Sequence, residues 1–504
     1  MDRSPSNKII ENILWNFTGQ GWLLILAFFT MPYIIHHLTV ELYGIYILVS
    51  IVVDYFAFLQ LGMGTASVKY ISQYLAQDRE QDIQLTFWSG VIAHVAMGVL
   101  GTLSIFIFAD TLIDKFFTMS SHHKETALFA LRVGSIGFLV SMLTGMVSSV
   151  MRATSRFDLV NRIGIIFGTL QIGSTVLLLH LDYSLKEIVT TNVVIQSGSL
   201  CFQWILVRKL LPCLSKFSLN IKTILHLLKF GGFVTISSVA GPILANIEKI
   251  LLSSLRSVSA LAYYSVPFSL VGRLAVIPSA FASVLFPAYS YYQESEKKEV
   301  NRQLHFRSTL YIFLILFFPV LFFMFYGYSF LSLWVGNDFA EYSSNILIIL
   351  SLAGLVNAAA YPSTTALQGI GKPQLPAYFH LVETIIYMPA VYLLIKEYGG
   401  IGAAAAWLIR VLLDTVLLHH ASCKFLGESL FEWYRSLLSR SIWPSAIGIF
   451  SFIILKIINF ALVNPLNISG ILLTGILYSF AVWKVSFDDI TRARCTAVLS
   501  GIKT

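Results

Sequence analysis

Apolar stretches of roughly 20 residues recur along the whole chain, and that is the length an α-helix needs to cross the hydrocarbon core of a bilayer. Read with a window of about 19 residues, they fall near 12–35, 42–64, 84–109, 126–150, 159–180 and 187–207. A second series follows near 230–252, 260–286, 308–334, 342–367, 375–395 and 402–419, and two more lie near 442–463 and 468–485. Composition agrees: 56% of the 504 residues are hydrophobic and 12% charged, against about 25% charged in soluble domains. The chain reads as an all-α integral membrane protein of about 14 transmembrane helices, and the several soluble domains its length would otherwise suggest are excluded. The first span is too long for the core of a cleaved signal peptide and is expected to stay in the mature protein.

The formal charge of +8 raises nucleic-acid binding, but the positive charges sit in alternate loops. Loops on the N-terminal side hold 24 Lys and Arg against 7 on the other side. That is the asymmetry expected of a polytopic membrane protein with both termini cytoplasmic, and it argues against nucleic acid as a partner. Cys201, Cys213, Cys423 and Cys495 have no paired spacing, so neither a disulfide framework nor a zinc site is implied. His94 and the pairs His36-His37, His122-His123 and His419-His420 lack metal-site spacing and read as loop or interface residues. No metal and no cofactor is expected.

The second half of the sequence repeats the first. Gly44-Ile45-Tyr46 falls on Ala262-Tyr263-Tyr264, Ser72 on Ser290 and Tyr74 on Tyr292, each 218 residues on; Arg156 falls on Lys372 and Leu185 on Ile401, 216 residues on. Helix ends, a Tyr-rich loop and a basic loop thus stay in register. Six spans fit the spacing, an even number, so the halves share one orientation about an axis along the membrane normal. The expected organisation is a six-helix lobe over 1–208, a basic cytoplasmic linker over 209–229, a second six-helix lobe over 230–424, and two final helices with a tail over 425–504. A central cleft between the lobes is their natural interface.

Three short motifs carry a family resemblance: Leu42-Tyr43-Gly44-Ile45-Tyr46, Leu367-Gln368-Gly369-Ile370-Gly371-Lys372-Pro373, and Tyr398-Gly399-Gly400-Ile401-Gly402-Ala403-Ala404. With the layout, they make the chain resemble the multidrug/oligosaccharidyl-lipid/polysaccharide flippase superfamily, and within it the Wzx-like O-antigen and polysaccharide flippases. The resemblance implies a MATE-like fold with two pseudo-symmetric lobes. It also implies a transporter rather than an enzyme, one that moves a polyprenyl-diphosphate-linked oligosaccharide to the outer leaflet by alternating access. The partners implied are that lipid-linked substrate, membrane lipid and other polysaccharide-assembly membrane proteins, at the inner cell membrane. Drug exporters share the layout, so an ion-coupled multidrug exporter is the alternative. A membrane glycan polymerase or ligase is a weaker one, because the longest outer loop, 110–125, is an ordinary connector with no carboxylate pair or metal motif. Gly369-Ile370-Gly371-Lys372 is not a phosphate-binding loop, since Pro373 stands where Ser or Thr is required.

A charge at the bilayer centre costs about 2.5–3.5 kcal/mol on insertion scales, so each needs a partner, a wet cavity or a function. Asp54 in the second span, Arg273 in the eighth, Glu383 in the eleventh and Arg410 with Asp414 in the twelfth all read as mid-span. Arg410 and Asp414, four apart, share a helix face and can neutralise each other, with Glu383 joining from the preceding helix. Arg273 reads as a substrate contact or as the structural partner of Asp54 or another helix. Lys249, near the outer end of the seventh span, either snorkels or meets anionic groups, and Lys456 snorkels or packs. Arg273, Arg410 and Lys249 are the expected substrate-binding cations, arginine being suited to phosphate by its planar fork. Asp54, Glu383 and Asp414 are the expected ion-coupling carboxylates. Asn16, Gln20, Gln171, Asn192, Gln196 and Asn357 are either interhelical glue or cavity lining.

Overall fold

A computed structural model of the chain describes residues 5–60, 62–294, 298–461 and 468–486, with side chains left aside at 5–20, 57, 230–245, 294 and 459–461. Every regular element among the described residues is helical. The first pass comprises α1 (Pro5–Leu38), α2 (Val40–Tyr55), α3 (Met63–Leu75), α4 (Glu80–Thr111), α5 (Lys124–Ala153), α6 (Phe157–His180) and α7 (Leu185–Leu210). The second comprises α8 (Ile221–Leu255), α9 (Val258–Arg273), α10 (Val276–Glu294), α11 (Lys298–Trp334), α12 (Asn337–Gly369) and α13 (Gln374–Leu426), after which come α14 (Leu430–Ala461) and α15 (Ile468–Ala481).

The repeat is written in the element boundaries. α2 starts at Val40 and α9 at Val258, α4 at Glu80 and α11 at Lys298; α5 ends at Ala153 and α12 at Gly369. α13 is two helices in one run: Gly399, at φ 57° and ψ −129°, has a backbone that L side chains avoid, and it turns the chain between an arm over 374–398 and an arm over 400–426. These arms stand to α6 and α7 as α12 stands to α5.

Eleven described helical segments are long and apolar enough to cross a membrane, against the fourteen expected. The difference has physical sources. α13 holds two crossings in one segment; α7, at 26 residues, is diluted by Thr190, Thr191, Asn192, Gln196 and Gln203; and part of α8 carries side chains outside the described set.

Two spans read as continuous are broken. α2 stops at Tyr55 and passes through a tight turn at Phe56–Gln60 before α3, and α9 stops at Arg273 before a turn at Leu274 and Ala275. Asp54 and Arg273 therefore lie at helix ends, not in mid-helix as expected. Apolarity runs through both breaks, which is why hydropathy does not show them. The stretch read as a Tyr-rich loop is helical, with Tyr74 on α3 and Tyr292 on α10.

The chain forms two compact units, 1–262 and 263–504. In the first, α5 packs between α4 and α7, and one apolar core gathers Ile45, Leu48, Ile105, Leu131, Leu185 and Val258. Local signals start its helices: Ser184 and Glu187 form a capping box ahead of α7, and the Asn220 side chain accepts from the Lys222 N–H at 2.9 Å at the start of α8. The turn after α4 holds the end of α8, Thr118 donating its backbone N–H to Ser253 O at 2.9 Å and accepting from Val258 N–H at 3.0 Å. The connector expected over 110–125 is mostly helical, and its charges are paired at the surface: Asp114 with Lys124 at 2.7 Å, Asp110 with Arg132 at 2.6 Å and Glu125 with Lys186 at 2.7 Å. In the second unit α12 packs between α11 and α13, and α14 and α15 pack together beside α11. His94 and His419, read as loop or interface residues, are buried helix residues. His94 Nδ1 lies 2.7 Å from Gly90 O, and His419 Nδ1 2.8 Å from the Tyr434 hydroxyl.

Candidate functional site

The hairpin of α13 brings the charges of its two arms together. His380 and Glu383 are one turn apart on the first arm, and Arg410 and Asp414 one turn apart on the second, so each pair shares a face. Folding at Gly399 sets Arg410 Nη1 3.7 Å from Glu383 Oε2, while His380 Nδ1 lies 3.4 Å from Glu383 Oε2 and 3.9 Å from Asp414 Oδ1. Glu383 is wholly buried, Asp414 is buried and the Arg410 side chain is 13% exposed; His380, at 43%, opens the cluster to its surroundings. The Arg410 guanidinium lies over the Tyr387 ring, 5.6 Å from its centroid. Glu383 Oε1, Arg410 Nε and Asp414 Oδ1 are buried with no hydrogen-bond partner among the described residues. Arg410, Asp414 and Glu383 do come together, but Arg410 pairs across the hairpin with Glu383 and not, as expected, with Asp414, which faces His380; His380 is the member that sequence reading missed. Its type gives no charge signal in an apolar run.

The first unit holds a cavity of about 430 Å³ walled by α1, α2, α5, α6 and α7. Asp54, Ser50, Tyr46, Gln171, Asn192 and Gln196 are among its lining residues, so three of the polar residues left open between glue and lining do line a cavity. Asn192 Oδ1 is a buried acceptor without a partner among the described residues. Asn16 and Gln20 lie outside the residues whose side chains are described. Lys249 is half-buried near the end of α8, donates to Asn246 Oδ1 at 2.8 Å, and lies in electrostatic range of both Glu248 and Asp54. Asp54 and Lys249 are thus brought together by α2 and α8.

Arg273 is half-buried in the last turn of α9, where its charge complements the negative end of the helix dipole. Lys456 is exposed, 6.0 Å from the centroid of the Phe325 ring.

A model of the family described as polysaccharide biosynthesis protein matches residues 9–293, more than half of the chain. The chain belongs to this family. It is 25% identical over 411 residues to the putative O-antigen transporter of Shigella flexneri, an alignment covering 82% of this chain and 97% of that protein. It is 18% identical over 374 residues to the teichuronic acid biosynthesis protein TuaB of Bacillus subtilis (strain 168), covering 74% of each. Among solved structures it is similar to the lipid II flippase MurJ in an inward closed conformation, with a TM-score of 0.69, 14% identity, and coverage of 94% of this chain and 98% of that one. An inward-facing multidrug resistance MATE family transporter of the MOP superfamily matches with a TM-score of 0.60 at 14% identity, over 76% of this chain and 89% of that one. The fold is MATE-like, as expected, and the chain is a multi-pass membrane protein of the superfamily its motifs resembled.

Proposed function

We propose that this family member flips a polyprenyl-diphosphate-linked oligosaccharide from the cytoplasmic to the outer leaflet for assembly of a surface polysaccharide, by alternating access. The observation that carries the reading is the alignment across 97% of a putative O-antigen transporter, within a family that the first repeat matches over most of its length. The loop asymmetry supports cytoplasmic termini and an inner-membrane setting. Other polysaccharide-assembly membrane proteins are the partners this role calls for, and the chain acts as a transporter without catalysing a covalent step.

In this reading Arg273, Arg410 and Lys249 neutralise the diphosphate, and Asp54, Glu383 and Asp414 couple its movement to an ion. The charge cluster of α13 suits a proton better than a metal cation, because the Arg410 guanidinium already stands 3.7 Å from Glu383. Two buried carboxylates against one guanidinium leave one negative charge, which is costly in a low-dielectric interior and which a proton on His380 or Asp414 balances. Loading or releasing that proton changes how much of the Arg410 charge is left for a phosphate, and this links a proton gradient to the hold on substrate.

The test is complementation of a host lacking the gene. Arg273→Lys, which keeps the charge and loses the planar fork, is expected to restore surface polysaccharide in part, and Arg273→Glu, at matched protein level in the membrane, to abolish it. Normal polysaccharide with Arg273→Glu would remove Arg273 from the substrate path.

A further inference from the structure

The end of α13 closes in a left-handed turn that puts metal-binding side chains where apolar ones usually meet. Gly427, at φ 75°, follows the last helical residue. Its N–H donates to Lys424 O at 3.3 Å, and that of Glu428 to Cys423 O at 2.8 Å, the pairing in which the side chains two places past the helix end and three places before it come together, commonly as an apolar contact. Here they are a carboxylate and a thiol. Arg302 of α11 fixes the turn from outside, donating through Nε to Leu426 O at 2.7 Å and through Nη2 to Gly427 O at 3.0 Å. One turn further along the same face of α11, His305 enters the space between them.

The three donor atoms, one each from His305, Cys423 and Glu428, lie within 4.8 Å of one another. His305 is fully buried and its Nδ1 stands 3.7 Å from Glu428 Oε2, too far for a hydrogen bond. Both atoms are buried with no hydrogen-bond partner among the described residues, which is costly for polar groups held this way. The other ring nitrogen is already fixed: Nε2 lies 2.8 Å from Ser363 Oγ and 3.2 Å from Ser422 Oγ, the outer-shell arrangement that orients a ligating imidazole. Trp433 stacks on the ring at 5.2 Å. Glu428 also lines a cavity of about 640 Å³ with Arg302, Trp433 and Arg440, a way in from the surface.

We propose that His305 Nδ1, Cys423 Sγ and Glu428 form a binding site for zinc or a similar divalent transition-metal ion, with the fourth position open to an exchangeable ligand. An imidazole, a thiol and a carboxylate match the ligand chemistry of zinc. Bonds of about 2.0–2.3 Å at tetrahedral angles put ligand atoms roughly 3.3–3.8 Å apart. The His305–Glu428 pair already has that spacing, and closing the widest pair takes a side-chain shift of about 1 Å. The thiol gives up its proton on binding, so affinity rises with pH. The bound ion ties α11 to the connection between α13 and α14. The site is separate from the charge cluster of α13 and does not depend on the transport reading.

The experiment is a cobalt(II) titration of the purified full chain in detergent, followed by displacement with zinc. One equivalent is expected, with a thiolate-to-cobalt charge-transfer band in the near ultraviolet that zinc removes. Cys423→Ser is expected to lose that band, and Glu428→Gln to weaken cobalt at least tenfold. Absence of saturable binding by the wild type, or a band unchanged in Cys423→Ser, which would place it on another cysteine, overturns the proposal. If Cys423→Ser does not fold, Glu428→Gln at the rim decides: wild-type affinity in that variant overturns the site.

Discussion

Arg410 holds the α13 cluster together, because without it Glu383 is a carboxylate in a buried site with no fixed positive partner. Arg410→Ala is therefore expected to destabilise the detergent-solubilised protein by about 3–5 kcal/mol, and Glu383→Gln in the same chain to recover most of that loss. Thermal unfolding of the two single variants and the double variant checks this; additive losses would mean the two side chains do not interact. His380 belongs to the same cluster but meets its surroundings. His380→Gln is expected to leave the protein folded and to flatten the dependence of transport on an imposed pH gradient, which initial rates in proteoliposomes would reveal. At this scale the sequence was informative where a residue breaks a rule. Glu383, Arg410 and Asp414 stand out because charge inside an apolar run is anomalous. His380 and His305 do not, since a histidine in an apolar run breaks no charge pattern, and only the hairpin and the turn at Gly427 show what each faces.

Helices were legible from their apolar runs, and their interruptions were not. The break after Tyr55 and the break after Arg273 lie at equivalent places in the two repeats, 218 residues apart, within stretches that stay apolar throughout. Asp54 and Arg273 each occupy the end of a helix there, a position hydropathy cannot assign. The turn at Gly399 falls in the gap between the spans read near 375–395 and 402–419, and the structure shows why a glycine is needed there: a residue at φ 57° and ψ −129° cannot carry a branched side chain without strain. Gly399→Val is expected to cost about 1–3 kcal/mol and to lower the monodisperse fraction in size-exclusion chromatography of solubilised membranes. Gly400→Ala, one residue on and outside the left-handed region, should be milder. Equal behaviour of the two would show that the backbone at Gly399 does not set the hairpin.

The spacing of 216–218 residues, visible in a few weak sequence matches, recurs in the starts and ends of whole helices. Architecture was legible because apolar length and loop charge are read directly by a bilayer. Substrate was not, because a fold of this kind hosts several cargoes and its turns encode packing, not recognition. The central claim is the cargo and its direction. The most direct measurement quantifies polyprenyl-linked oligosaccharide in a host lacking the gene and determines by membrane-impermeant labelling which leaflet holds it. Accumulation facing the cytoplasm, relieved by the wild-type gene and not by Arg273→Glu, is the predicted result. Unchanged lipid-linked glycan together with increased sensitivity to cationic drugs would contradict the account and identify a drug exporter.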